Sequence, residues 1–202
     1  MGQSEVPKAA RDICQQFPLG DRGRALLTDR QTPGEFLALL VQEELYDDAV
    51  WFAAHWLPKR EAVWWGCLCC WHLFRPQPAA EIALVFEAVL CWVREPSESN
   101  RRAAGAAGQA LGGEPPAGTL ALAIFGSGGS LSLPGLPDVP PPPQLTAQAV
   151  VGTVLAAAAK APPHQSAAIK RQFLAWAAEV ADGRNRWDGK PAPTPQAAAG
   201  LR

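Results

Sequence analysis

Along most of this chain, apolar residues recur at intervals of three and four, the spacing that gathers them on one face of an α-helix. Ala9, Ala10, Ile13, Cys14 and Phe17 form the first such stripe, over 4–17, and Pro18 and Gly20 end it. A short turn over Arg24–Leu27 follows. Thr32-Pro33-Gly34-Glu35 is a start signal: Thr32 caps, Pro33 suits the first helical position, and Glu35 reaches back to close a capping box. The stripe Phe36, Leu37, Leu39, Leu40, Val41 breaks near Glu44–Leu45, and a second segment runs from Tyr46 to a stop at Pro58. Lys59–Phe74 is apolar almost all round, as expected of a helix buried on several sides. Residues 79–94 carry Ile82, Val85, Phe86, Val89, Leu90 and Val93 inward. Ser97 caps Glu98–Leu111, and a short helix covers Ala117–Phe125. Thr146 caps Ala147–Lys160. Ser166 opens a last helix with Ile169, Phe173, Trp176, Ala177 and Val180 inward, closed by Gly183.

The period-two alternation of strands is missing throughout. The sequence therefore predicts an all-α fold, either an irregular helical bundle or a short HEAT-like stack of antiparallel helices. One domain is expected over 1–187, followed by a disordered Pro/Ala-rich tail at 188–202. Between Gly126 and Pro143 the glycines and prolines exclude both helix interior and central strand. Leu131, Leu133, Leu136 and Val139 are evenly spaced there, which predicts an ordered, extended excursion lying along the helical surface, not a solvated linker.

Composition narrows the function classes. Eighteen Lys and Arg stand against 19 Asp and Glu, a net charge of -1, which argues against a basic nucleic-acid face and against attraction to anionic lipid. The Ala, Arg, Gly and Pro bias with few Lys is that of a GC-rich bacterial genome. The longest dense apolar stretch, 62–74, is shorter than the ~20 residues a bilayer requires, so no membrane insertion is expected. With no secretory pattern at its start, the chain is placed in the cytoplasm. Five cysteines, an odd number centred on one helix, fit a reducing compartment.

Candidate chemistry is sparse. Cys67, Cys69, Cys70 and His72 invite a zinc reading, but they do not share one helical face and Cys91 stands alone, so no metal is expected. His55, His72 and His164 are too dispersed to activate a thiol nucleophile, and no catalytic residue is assigned. Gly126-Ser127-Gly128-Gly129-Ser130 lacks the lysine and the following helix of a phosphate loop, so no cofactor is expected. Pro140–Pro143 has the form of a polyproline ligand, although chain reversal is the simpler role. The most distinctive run is Lys59-Arg60-Glu61 leading into Trp64 and Trp65. Arg and Trp dominate protein–protein hot spots, so these five residues are candidate interface positions, and Arg184, Arg186 and Trp187 are candidates to join them. Arg60 and Glu61 have possible ion-pair partners in Asp47, Asp48, Arg184 and Arg186.

LPKREAVWWGCLC, AIFGSGGSLSLPGLPDVPPPPQLTAQAV and GRNRW occur in that order and together span most of 33–187. In these three blocks the chain resembles an uncharacterised bacterial family of about this length, a domain of unknown function. Gly126 departs from the pattern, standing where the family tends to carry Trp. Genes of the family are often seen among type VI secretion components, so the resemblance implies a non-enzymatic adaptor or accessory role. The expected partner is a protein, a secretion-system component or effector. The alternative is a small-molecule or nucleotide-binding enzyme with a cleft beneath 126–143.

Overall fold

The computed structural model describes residues 9–112, 116–133 and 135–187; the expected tail at 188–202 and the first residues of the 4–17 helix lie outside them. Among the described residues the fold is all-α: α1 (Ala10–Cys14), α2 (Asp21–Leu26), α3 (Pro33–Gln42), α4 (Tyr46–Trp56), α5 (Lys59–Phe74), α6 (Ala80–Arg94), α7 (Glu98–Leu111), α8 (Pro116–Phe125), α9 (Leu145–Ala159), a 3-10 turn at Pro163–Gln165, and α10 (Ser166–Ala181).

Local chemistry sets most boundaries. At α3 both halves of the expected capping box form: Glu35 N–H donates to Thr32 Oγ1 at 3.3 Å and Thr32 N–H to Glu35 Oε2 at 2.9 Å. The break before α4 falls at Glu44, a non-glycine at φ 58°. Its neighbour Leu45 N–H closes back on Leu40 O at 2.8 Å, the wrap that ends a helix through one left-handed residue. The same wrap ends α10 at Gly183 (φ 69°), with Gly183 N–H to Val180 O at 3.0 Å and Arg184 N–H to Glu179 O at 2.9 Å.

The break at Pro162-Pro163 falls where expected and leads into a 3-10 turn. Two expectations are corrected. Residues 21–26 form a helix where a turn was expected. Thr146 is not the cap of α9: the helix begins at Leu145, and Thr146 Oγ1 instead donates to Ala123 O at 3.2 Å, tying α9 to α8.

The helices close on one another as a bundle. In a HEAT-like solenoid each repeat meets only its neighbours. Here α5 packs on α9 and α10, and α4 also packs on both. The face of α5 at Gly66 meets Leu120, Val150 and Thr153, so α8 and α9 pass within van der Waals reach of the α5 backbone. A Cβ at Gly66 would sit 2.7 Å from Leu120 Cδ1. Lys59 and Ala62 share a groove with Gln144 and Ala147, so α5 and α9 run parallel with their N-termini side by side. Trp65, Phe36, Phe52, Phe173 and Leu120, all under 2% exposed, fill the centre of one apolar cluster that draws on α1 and on every helix from α3 to α10.

Candidate functional site

One end of the bundle gathers the N-termini of α5, α7 and α9, the C-termini of α6 and α8, and the residues after α10. Six of the eight sequence-nominated residues meet there, and most are engaged within the chain. Arg60 donates from Nε to Val93 O at 2.6 Å and from Nη2 to Arg94 O at 2.8 Å. It thus satisfies carbonyls at the C-terminus of α6, where a cation is also favoured by the helix dipole. Its guanidinium lies 4.4 Å from the centre of the Trp187 ring. Trp187 meets Trp64 edge-on at 6.5 Å, and Trp64 Nε1 donates to Asn185 Oδ1 at 3.3 Å. Arg186 flanks Trp187 at 5.9 Å. Lys59 donates to Ser127 O at 2.7 Å, which joins this corner to the Gly/Pro segment. Glu61 is half-buried on the same turn.

Arg184 and Trp65 stand apart from that cluster. Arg184 pairs with Asp182 at 2.7 Å. Trp65 is fully buried, its Nε1–H donating to Phe173 O at 2.7 Å, which makes it a core residue and not a contact surface. Trp64 is 6% exposed, so a partner reaching this corner meets Trp187, Arg186 and Lys59 first. The considered ion pairs of Arg60 with Asp47 or Asp48 are replaced: Asp47 pairs with Lys170 and Asp48 accepts from Gly20 N–H. Arg60 takes carbonyls because the end of α6 supplies them at its own depth.

The contact of the Gly/Pro segment with the bundle differs from expectation. Leu133, Leu136 and Val139 are 73%, 59% and 51% exposed, so they do not pack on the helices. The segment is instead held by its backbone. Arg101, only 3% exposed, donates to Phe125 O, to Ser130 O at 2.9 Å, and to both carboxylate oxygens of Glu98 at 2.6 and 2.8 Å. Arg102 bonds Glu98 at 2.7 Å and Ser132 O at 3.1 Å. Gly129 passes this clamp at φ 61°, and a Cβ there would lie 2.9 Å from both Arg101 Nη2 and Glu98 Oε2, so glycine is required on two counts.

Beyond the clamp the loop closes on itself. Leu131 N–H donates to Val139 O at 2.8 Å, Ser130 Oγ accepts from the N–H groups of Ser132 and Val139, and Ser132 Oγ donates to Pro137 O at 2.7 Å.

Sequence reasoning missed Arg101 and Arg102, although a signal was present. Arg101 lies four residues before Gly105 and seven before Gly108, on the face of α7 that packs closely against α8. A charge on that face needs a designated partner.

Glu98 sits between two guanidiniums, and their hydrogen bonds lower its pKa to about 2. A lowered folded-state pKa means a contribution that is complete above the ordinary carboxylate value near 4.5 and lost as pH falls through about 2. The stability difference between the wild type and Glu98→Gln is therefore expected to be constant from pH 7 to about 5 and to shrink toward pH 2. Thermal melts of the two proteins over that range check it.

A groove of about 800 Å³ opens at the C-terminal end of this segment, between the α4–α5 turn and the starts of α3 and α9. His55, Lys59 and Asp182 are the titratable side chains on its wall. His55 Nδ1 meets Trp51 O at 2.8 Å, and burial lowers its pKa, so the ring is neutral; its Nε2 has no partner among the described residues. The groove lies beside the segment's end and not beneath 126–143. The thiols of Cys67, Cys69 and Cys70 are pushed up by burial, Cys67 to about 12, which leaves them protonated and unreactive. Among the described residues no cluster of His, Cys, Asp and Glu is placed to hold a metal ion, and no helix is long and apolar enough to cross a membrane.

A family model described as a family of unknown function (DUF6931) matches residues 36–181, from α3 to the end of α10. The chain belongs to that family. No curated protein and no solved structure matches it.

Proposed function

We propose that this member of DUF6931 is a non-enzymatic adaptor that docks a protein partner through the end of the bundle carrying the clamped loop. The observation that carries this reading is the loop itself. Three aliphatic side chains stand in water on a segment of ten residues whose backbone is tied by two arginines and by its own hydrogen bonds. Exposed aliphatics are a liability unless covered, and ordering them in advance reduces the entropy cost of association. The Lys59 contact to Ser127 joins the Arg60, Trp64, Arg186, Trp187 corner to the start of the segment that carries the aliphatic side chains. The family resemblance in the three sequence blocks supports a bacterial type VI secretion component or effector as the partner, met in the cytoplasm.

The test is quantitative co-purification from the native host. The double variant Leu133→Ser/Leu136→Ser is expected to lower partner recovery at least tenfold with an unchanged circular dichroism spectrum. Full recovery would place the contact elsewhere.

The groove of about 800 Å³ favours a second reading, a small-ligand site beside the segment. Lys59 and Asp182 already hold intramolecular partners there, which weighs against catalysis. A thermal midpoint that rises with a nucleotide or phosphate, and fails to rise in Lys59→Ala, would support this second reading.

A further inference from the structure

The docking reading does not use the proline pattern of the loop. Leu136-Pro137-Asp138-Val139-Pro140 is two aliphatic–proline pairs separated by one residue, and Pro141–Pro143 continue it. Leu136 and every residue from Val139 to Pro142 precede a proline, which disfavours the helical region and favours an extended or polyproline II backbone. Residues 137–142 accordingly form neither helix nor strand nor turn.

A polyproline II helix has about three residues per turn, so Leu136 and Val139 share one ridge and Pro137 and Pro140 the next. Leu136 and Val139 are more than half exposed, and Pro137 and Pro140 are exposed with them. The backbone of the same stretch is already bonded into the loop: Pro137 O accepts from Ser132 Oγ, Val139 O accepts from Leu131 N–H, and Val139 N–H donates to Ser130 Oγ.

Those bonds decide between modes of recognition. Addition to the edge of a partner's sheet requires a row of free N–H donors. Pro137 and Pro140–Pro143 have none, and that of Val139 is taken. A helix-in-groove mode requires a helix, which the prolines forbid. Flat proline rings and aliphatic tips on a preset extended backbone are what an aromatic-walled groove recognises.

We propose that Leu136–Pro140 is a preformed polyproline ligand, presented by the Arg101–Arg102 clamp to a groove on the partner walled by Trp and Tyr. The proposal rests on the docking reading and names the chemistry of its partner.

The full-length chain tests it in two arms. In the first, Pro137→Ala/Pro140→Ala is compared with Leu133→Ser/Leu136→Ser in the co-purification assay. At least a tenfold loss in both supports the proposal. Loss in the leucine pair with wild-type recovery in the proline pair overturns it and leaves the docking reading standing. Wild-type recovery in both removes the two together.

Alanine at two prolines also loosens the loop, so the second arm leaves both in place. Asp138, between the two pairs, is replaced by the photo-crosslinking residue p-benzoylphenylalanine. Cross-links are expected on partner peptides bearing clustered Trp or Tyr. Cross-links confined to peptides without aromatic residues overturn the proposal.

Discussion

Trp65→Ala is expected to destabilise the protein by about 4 kcal/mol, within the 3–5 kcal/mol range for emptying a buried Trp or Phe site. The ring is 0% exposed. It spans from α5 to α10, where its Nε1–H meets Phe173 O at 2.7 Å. Helices α5, α9 and α10 are fixed by other contacts, so collapse into the vacated space is limited. Phe173 lies mid-helix, and its carbonyl also serves the α10 ladder, so the lost indole bond adds only about 1 kcal/mol. For a chain of this size each kcal/mol moves the midpoint by roughly 2–4 °C, which predicts a fall of about 8–16 °C. Trp65→Phe keeps most of the volume and loses the bond; about 1–2 kcal/mol is expected. Thermal and urea unfolding followed by circular dichroism measure both. A loss below about 2 kcal/mol for the alanine variant would mean that the site refills.

Arg101→Met is the second large effect, expected near 3 kcal/mol with selective release of the loop. Methionine replaces the aliphatic stem, so the loss falls on the guanidinium. The Phe125 and Ser130 carbonyls lose a charged donor, and bonds of that kind contribute about 1.5–3 kcal/mol each without adding fully. Glu98 regains hydration, because its side chain is already 54% exposed, and that offsets part of the cost. The planar fork of Arg reaches Glu98 and two carbonyls at once. A lysine offers a point charge, so Arg101→Lys is expected to be nearly as damaging. Limited proteolysis within 126–143 should accelerate at least tenfold in both variants while α5, α9 and α10 stay protected. Uniform loss of protection would show that Arg101 supports the bundle and not the loop in particular.

The helices were legible where a local signal sufficed. The Thr32–Glu35 box, Pro58 and Gly183 mark boundaries through chemistry within a few residues, and α5 and α7 begin and end where capping and proline placed them. Thr146 misled because the same hydroxyl that caps a helix also serves a neighbouring helix, and only packing decides which. The aliphatic spacing of the loop pointed to packing on the helices, and Leu133, Leu136 and Val139 face outward instead. Order there comes from backbone carbonyls meeting arginines 24 to 30 residues away, and the carbonyl is the one group every residue shares. In the nominated hot spot, Trp65 and Trp187 look alike in the sequence, yet one is sealed against Phe173 and the other is half-buried beside Arg60.

The lateral contacts of α5 also bear on how the chain is made. Trp65 waits for a carbonyl 108 residues downstream, and Trp64 for an amide 121 residues downstream. A ribosome therefore releases α5, buried on several sides in the fold, long before α9 and α10 exist to cover it. Closures of that span slow folding and lengthen exposure to aggregation. Helices α3 to α5 emerge as a nascent chain that needs shielding, and the arrival of α10 and the residues after it is the event that seals the core.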